Sequence, residues 1–344
     1  MRVAICTVQV PFVRGGAEAC VEGLHHAILK NGHEAEIISI PFKWYPPVEI
    51  IRQMLIWELL DLTEASGKTI DLVIALKFPA YLVTHPNKVV WLIHQHRQAY
   101  DLWGTEYGDL RGEEGSRVRE IIHQADSRAL REARRVFTIS QNVSARLLKY
   151  NMISSEPLYP PVRNRERFSC DKYGDYIFCP GRLEALKRQK LLIEAMALVR
   201  SGANCLIAGV GGQESELRHL CDRQGVAGKV KIISPATDAQ IADFYANALA
   251  VFFGPFQEDY GFVTVESLYS RKPVITLTDS GGPLEFIQDG VNGMVVSPNP
   301  EAIAKAIDTL FNDRAQARTM GERGYQAADK MRMEWPRVVR NLLS

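Results

Sequence analysis

The strongest constraint on this chain is a rhythm: short β-branched runs alternate with longer segments of helical period. Such alternation builds βαβ units around parallel sheets. The strand candidates in the first half are Val3 to Val8, Ala35 to Ile40, Leu72 to Leu76, Val89 to Ile93 and Val136 to Ile139. Those in the second half are Tyr176 to Cys179, Asn204 to Ala208, Val230 to Ile233, Ala250 to Phe253, Val274 to Leu277 and Met294 to Val296. Each set suffices for one doubly wound α/β sheet, and 344 residues suit two domains at about 150 residues each. The proline-rich stretch Glu156-Pro157-Leu158-Tyr159-Pro160-Pro161 can continue neither a helix nor a central strand, so the connection falls there. The expected division is an N-terminal domain over 1–160, a second over 161–325, and a C-terminal helix over 326–344 packing back on the first, with a break near Trp335-Pro336.

Charge and cysteine usage exclude whole classes of function. Lys plus Arg number 41 against 40 Asp plus Glu, a net charge of +1, which does not suit a nucleic-acid partner. No apolar run reaches the roughly 18 residues of a membrane-spanning helix, and the opening Met1 to Val8 stretch is too short for a signal peptide, so a cytoplasmic protein is expected. The six cysteines include no Cys-x-x-Cys pair and sit mostly in apolar segments, as small buried hydrophobes do in a reducing compartment. His25-His26 and His94-x-His96 lack further ligands at metal spacing, and no Asp-x-Asp occurs to hold a sugar diphosphate through a metal. No metal and no cofactor are expected. Ser66-Gly67-Lys68-Thr69 imitates the end of a P-loop, but position 62 is Leu62 where that loop needs glycine.

Two segments interrupt the rhythm. Val48 to Leu62 reads as a helix apolar around most of its circumference, which suits a buried core helix, with a membrane-facing or lipid-binding surface as the alternative. Gln95 to Gly115 holds Tyr100, Trp103 and Tyr107 among glycines and charges, and as a long irregular loop it is a candidate acceptor-side segment.

Anion-binding chemistry gathers at strand ends. Gly15 and Gly16 follow the first strand and precede a helical run, where backbone amides and a helix N-terminus suit an anion. Gly181-Arg182-Leu183, with Lys187 beyond, follows the Tyr176 strand, and two cations at a strand's carboxyl end suit a diphosphate. Gly209 and Gly211 follow the next strand, where a bare backbone can approach a ligand closely. The most specific constellation is Glu258-Asp259-Tyr260-Gly261-Phe262-Val263-Thr264-Val265-Glu266. Gly261 opens a helix, and Glu258 and Glu266 can border one pocket, where carboxylates accept strong bonds from paired hydroxyls.

These elements, with the linker Tyr159-Pro160-Pro161-Val162 and Gly281-Gly282-Pro283-Leu284-Glu285 through Gly293, resemble the retaining glycosyltransferases of family four over nearly the whole chain. The resemblance implies a GT-B fold, two Rossmann-like doubly wound parallel-sheet domains facing across a cleft. It implies transfer of a sugar, a hexose above all, from a nucleotide-sugar to an acceptor hydroxyl, with UDP-sugar favoured and GDP-sugar the alternative. On this resemblance Glu266 would bind the nucleotide ribose and Glu258 the donor sugar. Arg182 and Lys187 would neutralise the leaving diphosphate with the backbone of Tyr260, Gly261, Phe262, Val263, Gly16 and the neighbouring Gly15, Gly181, Gly209 and Gly211. His94, which ends the strand Val89 to Ile93, would face the reacting sugar, and His96 is the alternative.

The partners implied are a nucleotide-sugar donor and a glycan, lipid-linked or small-molecule acceptor, in glycan or cell-envelope polysaccharide synthesis, with peripheral contact at the inner face of a membrane as an open alternative. Three departures stand out. Arg271 replaces a customary glycine and could serve helix packing or a phosphate, Ser267 replaces an alanine, and Ser234-Pro235-Ala236 replaces a glycine near the base. Two other functions fit the same residues: a nucleotide-sugar epimerase, and a noncatalytic nucleotide- or glycan-binding protein.

Overall fold

The computed structural model describes all residues from Met1 to Ser344. Apolar runs make most of the strands, and the central ones are buried on both faces, as parallel sheets demand, whereas edge strands keep one side in water. In the first sheet these are β1 (Arg2–Gln9), β2 (Glu34–Pro41), β5 (Leu72–Lys77), β6 (Lys88–His94), β7 (Arg135–Thr138) and β8 (Glu156–Pro157). A small antiparallel hairpin, β3 (Glu64–Ala65) and β4 (Lys68–Thr69), stands apart. The second sheet comprises β9 (Tyr176–Pro180), β10 (Asn204–Ala208), β11 (Val230–Ile233), β12 (Ala250–Phe252), β13 (Val274–Leu277) and β14 (Gly293–Val296).

The helices are α1 (Gly16–Lys30), α2 (Val48–Glu58), α3 (Gly112–Arg131), α4 (Gln141–Asn151), α5 (Gln189–Leu198), α6 (Glu214–Arg223), α7 (Asp238–Asn247), α8 (Phe262–Tyr269), α9 (Pro300–Asn312), α10 (Arg314–Lys330) and α11 (Trp335–Leu343). The chain divides into two compact units, Met1–Arg163 with Met333–Ser344, and Asn164–Arg332. In the first, Trp335 of α11 packs edge-on against Trp91 at 6.3 Å and lies against Gly23 of α1, where a Cβ would fall 2.2 Å from its ring.

Strand order decides where ligands can bind. The first sheet runs β2-β1-β5-β6-β7-β8 and the second β11-β10-β9-β12-β13-β14, all parallel. In each the chain works outward from one strand in one direction and then reverses. The reversal leaves a crevice beyond the carboxyl ends of the two flanking strands. In the first unit those strands are β1 and β5; in the second they are β9 and β12.

Several expectations change in detail. The 48–62 helix ends at Glu58 and buries one face only: Ile50, Met54 and Trp57 are inside, whereas Val48, Leu55, Ile56 and Leu59 are exposed. The 95–115 segment is not an open loop, because it folds into a 3-10 turn over Arg97–Ala99, buries Tyr100, Leu102 and Leu110, and enters α3 at Gly112. The P-loop imitation is the turn of the β3–β4 hairpin, with Ser66 and Gly67 both at positive φ, as a tight hairpin connection requires. Strand β8 lies within the stretch assigned to the connection; its two residues carry too little pattern to signal a strand. No helix is long and apolar enough to cross a membrane.

Candidate functional site

In the second unit, the loops after β9 and β10 zip together. The Gly181 amide donates to Ala208 O at 3.0 Å, Leu183 to Val210 O at 2.9 Å, and Gln213 to Leu183 O at 3.0 Å. A Cβ on Gly209 would lie 2.0 Å from Gly181 O, and one on Gly211 2.3 Å from Leu183 O. Both glycines therefore serve the close approach of two backbones. The loop they support carries Arg182, which is exposed and pairs with Glu184 at 2.9 Å, and Lys187.

Across the switch point, the loop after β12 carries Glu258, and its Oε2 accepts from Lys187 Nζ at 2.7 Å. Both side chains are mostly buried, at 14% and 21% exposure, so the pair is held in a weakly screened setting. The residue beneath them is Arg188. Its guanidinium donates to Gly254 O and Pro255 O at 2.8 Å each, and to both oxygens of Asp279 at 2.8 and 2.6 Å. Arg188 ties the β12 loop to the β13 loop, where Gln257 and Glu258 amides donate to Asp279 O and Ser280 O. This is the residue that sequence reasoning missed: beside Lys187 it reads as one more surface cation, and only its burial shows otherwise.

Helix α8 begins just beyond. Gly261, its N-cap, has φ 83°, a left-handed conformation that glycine adopts without penalty, and a Cβ there would meet the Phe253 ring at 2.9 Å. Tyr260 is buried, edge-on to Phe262 at 4.8 Å and to Phe286 at 5.4 Å, which anchors the turn that leads into the helix. The first amides of α8, from Phe262 and Val263 onward, form its positive end. Glu266, a turn further on, accepts a 2.9 Å hydrogen bond from the Tyr245 hydroxyl, and burial pushes its carboxyl up. The geometry thus joins Lys187 directly to Glu258, while Arg182 and Glu266 each have a separate partner.

The three departures also find places. Ser267 turns its hydroxyl back to Val263 O at 2.6 Å, the usual fate of a serine inside a helix. Arg271 has φ 51°, which explains why glycine suits this position; its guanidinium stacks over Tyr325 at 4.0 Å and pairs with Glu322 at 3.1 Å, so it packs against α10. Ser234 donates to Glu214.

In the first unit the switch point gathers a different set. The Gly15 amide, just before α1, donates to Glu18 Oε2 at 2.9 Å, and Glu18 Oε1 accepts from Lys77 Nζ at 2.8 Å. Burial pushes the Glu18 carboxyl up, but the Lys77 ammonium and the backbone amides of Gly15 and Glu18 together outweigh it and the net shift is downward. Lys77, buried at the end of β5, is a second residue no motif announced.

Lys77 pairs in register with His94 at the end of β6. His94 Nδ1 lies 3.1 Å from Gln95 O, which can only accept, so Nδ1 carries the proton and Nε2 offers a lone pair. Burial, reinforced by the Lys77 charge, pushes its pKa down to about 3, leaving the ring neutral at pH 7. His94 is partly exposed. His96 is buried, packed against Phe78 at 5.3 Å and Phe42 at 6.3 Å, and burial pushes it too down to about 3. No group of three or more His, Cys, Asp or Glu side chains is placed to hold a metal ion. All six cysteines are free thiols.

Comparison with known proteins gives this geometry a context. Residues 163–327 match the family described as glycosyl transferases group 1. An uncharacterized glycosyltransferase of Methanocaldococcus jannaschii is 25% identical over 354 aligned positions, spanning 91% of this chain and 90% of that protein. Among solved structures, the sucrose-phosphate synthase of Thermosynechococcus elongatus shares the fold with a TM-score of 0.80 over 99% of this chain and 97% of its own, at 18% identity. An Anabaena protein solved in complex with UDP and glucose does so with a TM-score of 0.72 over 100% and 98%, also at 18% identity. These likenesses give the fold, GT-B, with its two doubly wound parallel sheets. The second unit carries the match to the glycosyl transferases group 1 almost end to end.

Proposed function

We propose that this protein is a retaining, metal-independent hexosyltransferase that moves a sugar from UDP-sugar to an acceptor hydroxyl in the assembly of a glycan or cell-envelope polysaccharide. The observation that carries this reading is the Lys187–Glu258 pair at the switch point of the second sheet, at 2.7 Å, beside the positive end of α8. A cation, a carboxylate and free helix amides in one crevice answer the two halves of a nucleotide-sugar: its diphosphate and its hydroxyls.

The reaction breaks the bond between the anomeric carbon and the diphosphate oxygen. The acceptor oxygen then bonds to that carbon from the same face, and its proton passes to the departing diphosphate. Negative charge grows on the diphosphate while the sugar becomes oxocarbenium-like, so catalysis is chiefly electrostatic preorganisation. Lys187, Arg182 and the amides at Gly261, Phe262 and Val263 would stabilise the leaving group, and protein cations in this role remove the need for a metal. Glu258 would hold donor hydroxyls and Glu266 the ribose, each as hydrogen-bond acceptor. His94, neutral and offering Nε2, is better placed than the buried His96 to accept a bond from a sugar hydroxyl. The UDP complex of the Anabaena protein supports the choice of UDP over GDP.

The test is incubation of the full chain with UDP-glucose, UDP-galactose, UDP-N-acetylglucosamine and GDP-mannose, with and without EDTA and with candidate acceptors, following nucleotide release and product anomeric configuration. Release of UDP with an α-linked product, unaffected by EDTA, is expected from an α-linked UDP-sugar. An isomerised donor without acceptor would make the protein an epimerase. Binding without turnover of any donor would make it a binding protein.

A further inference from the structure

Aromatic side chains collect at the carboxyl edge of the first unit's sheet, in a segment no motif singled out. Phe42 extends β2, its amide donating to Gln9 O at 2.9 Å, and packs edge-on against Phe78 at 6.1 Å and against His96. Phe78 lies next to the site already described, since its amide donates to His94 O at 3.2 Å. Phe42, Phe78 and His96 form an anchored base. Outward from it, Trp44 lies nearly parallel to Phe42 at 6.3 Å and 23°, and Tyr45 stands edge-on to Trp44 at 5.2 Å. Tyr45 is 60% exposed and Trp44 is half-buried.

One polar contact completes the arrangement. The Asp109 carboxylate lies near the Trp44 indole, which brings the 95–115 segment beside the Phe42–Tyr45 segment. Asp109 is itself held in place, its amide donating to Gln98 Oε1 at 2.9 Å. The base therefore presents aromatic rings of fixed orientation with an exposed carboxylate beside them.

We propose that Trp44, Tyr45 and Asp109 form a specificity-determining subsite for the acceptor, and that it takes a pyranose ring; the assignment to the acceptor rests on the glycosyltransferase reading above. The C–H face of a pyranose is apolar and matches an aromatic ring in width, while its rim carries hydroxyls in adjacent pairs. Stacking on Trp44 or Tyr45 covers the apolar face, and two neighbouring O–H groups satisfy the Asp109 carboxylate, since ionised acceptors make the stronger hydrogen bonds. A hydrocarbon chain would fit the rings but would strip water from Asp109 and give it no donor. Rings fixed in advance lose little side-chain freedom on binding, which favours their use as recognition surfaces.

The test is saturation-transfer difference NMR on the full chain with methyl β-D-glucopyranoside, maltose and cellobiose, each without donor, and separately with UDP-glucose. At least one sugar should give ring-proton saturation in the wild-type protein. That signal should fall at least fivefold in Trp44→Ala, in the solvent-exposed substitution Tyr45→Ser, and in Asp109→Asn. Tyr45→Ser keeps the test decisive should Trp44→Ala fold poorly. No saturation of any of the three sugars, or saturation unchanged in Tyr45→Ser and Asp109→Asn, overturns the subsite. Absence of UDP-glucose saturation in the wild-type protein would instead count against the donor reading, and the sugar arm is measured independently of it.

Discussion

Removing the Arg188 guanidinium is the sharpest perturbation of this structure. Arg188 is 8% exposed and makes four hydrogen bonds of 2.6 to 2.8 Å, two to backbone carbonyls and two to Asp279. Arg188→Leu deletes the cation and leaves a carboxylate and two carbonyls without their donor. Breaking one side of a buried ion pair costs about 3–5 kcal/mol, largely because the remaining charge is stranded. Asp279 keeps 29% of its side-chain surface in water, so the lower half of that range, about 3–4 kcal/mol, is expected.

At roughly 2–4 °C per kcal/mol for a domain of this size, the melting temperature of the second unit should fall by about 10 °C. Chemical denaturation with a double-mutant cycle is the assay, pairing Arg188→Leu with Asp279→Leu. The double variant should recover more than about 1 kcal/mol relative to the sum of the singles, because it strands no charge. A single-variant loss below about 1 kcal/mol, or no coupling in the cycle, would refute the argument that this arginine locks the Gly254–Glu258 loop. Because that loop presents Glu258, donor affinity should fall in Arg188→Leu as well.

Glu258→Gln should preserve the fold, since it keeps the side-chain shape, yet lower turnover by about 2.7–4 kcal/mol of transition-state stabilisation, on the order of 10²–10³-fold, read from initial rates of UDP release; near wild-type turnover would remove Glu258 from the site. His94 and His96, at about 3 in the fold against 6.5 ordinarily, bind fewer protons folded than unfolded between those values. Their contribution to stability is complete above pH 6.5 and is lost as pH falls, at up to about 1.4 kcal/mol per pH unit for each ring. Asp126, which burial pushes up to about 7, acts in the opposite sense, its contribution being lost as pH rises toward 7.

The three together leave a net loss of about 1.4 kcal/mol per unit on acidification from pH 6.5 to 4, measured by denaturation at stepped pH. A histidine C2–H resonance of either ring titrating near 6.5 would contradict it. Gly23→Ala places a Cβ 2.2 Å from the Trp335 ring and should cost about 1–3 kcal/mol while altering Trp335 fluorescence; an unchanged melting temperature would show that α11 adapts freely.

Much of this was legible in one dimension. Strands β10, β11 and β13 run over the residues that hydrophobic runs marked, and the others except β8 and the β3–β4 hairpin differ by one residue at one or both ends, because a strand that packs into a core carries a run of apolar residues. Short or mixed elements were not legible: β8 has two residues, and α2 is apolar around most of its circumference, of which the fold buries one side. In the second unit Gly181, Lys187, Glu258 and Gly261 stood out because spacing around a strand end is a local property. Arg188, Lys77 and the Trp44–Asp109 contact did not, because each depends on a partner 59 or more residues away.

The sequence by itself determined two parallel doubly wound sheets, the positions of their strand ends, and the residue types gathered there. It could not say that Gly209 and Gly211 serve the close approach of two backbones, nor that Arg271 packs against α10. Those outcomes belong to the tertiary structure. Periodicity and local motif report how a segment meets water and its near neighbours. Burial, ion pairing and the protonation of His94 come from groups brought together across the sheet, where low dielectric and close packing decide what each side chain can do.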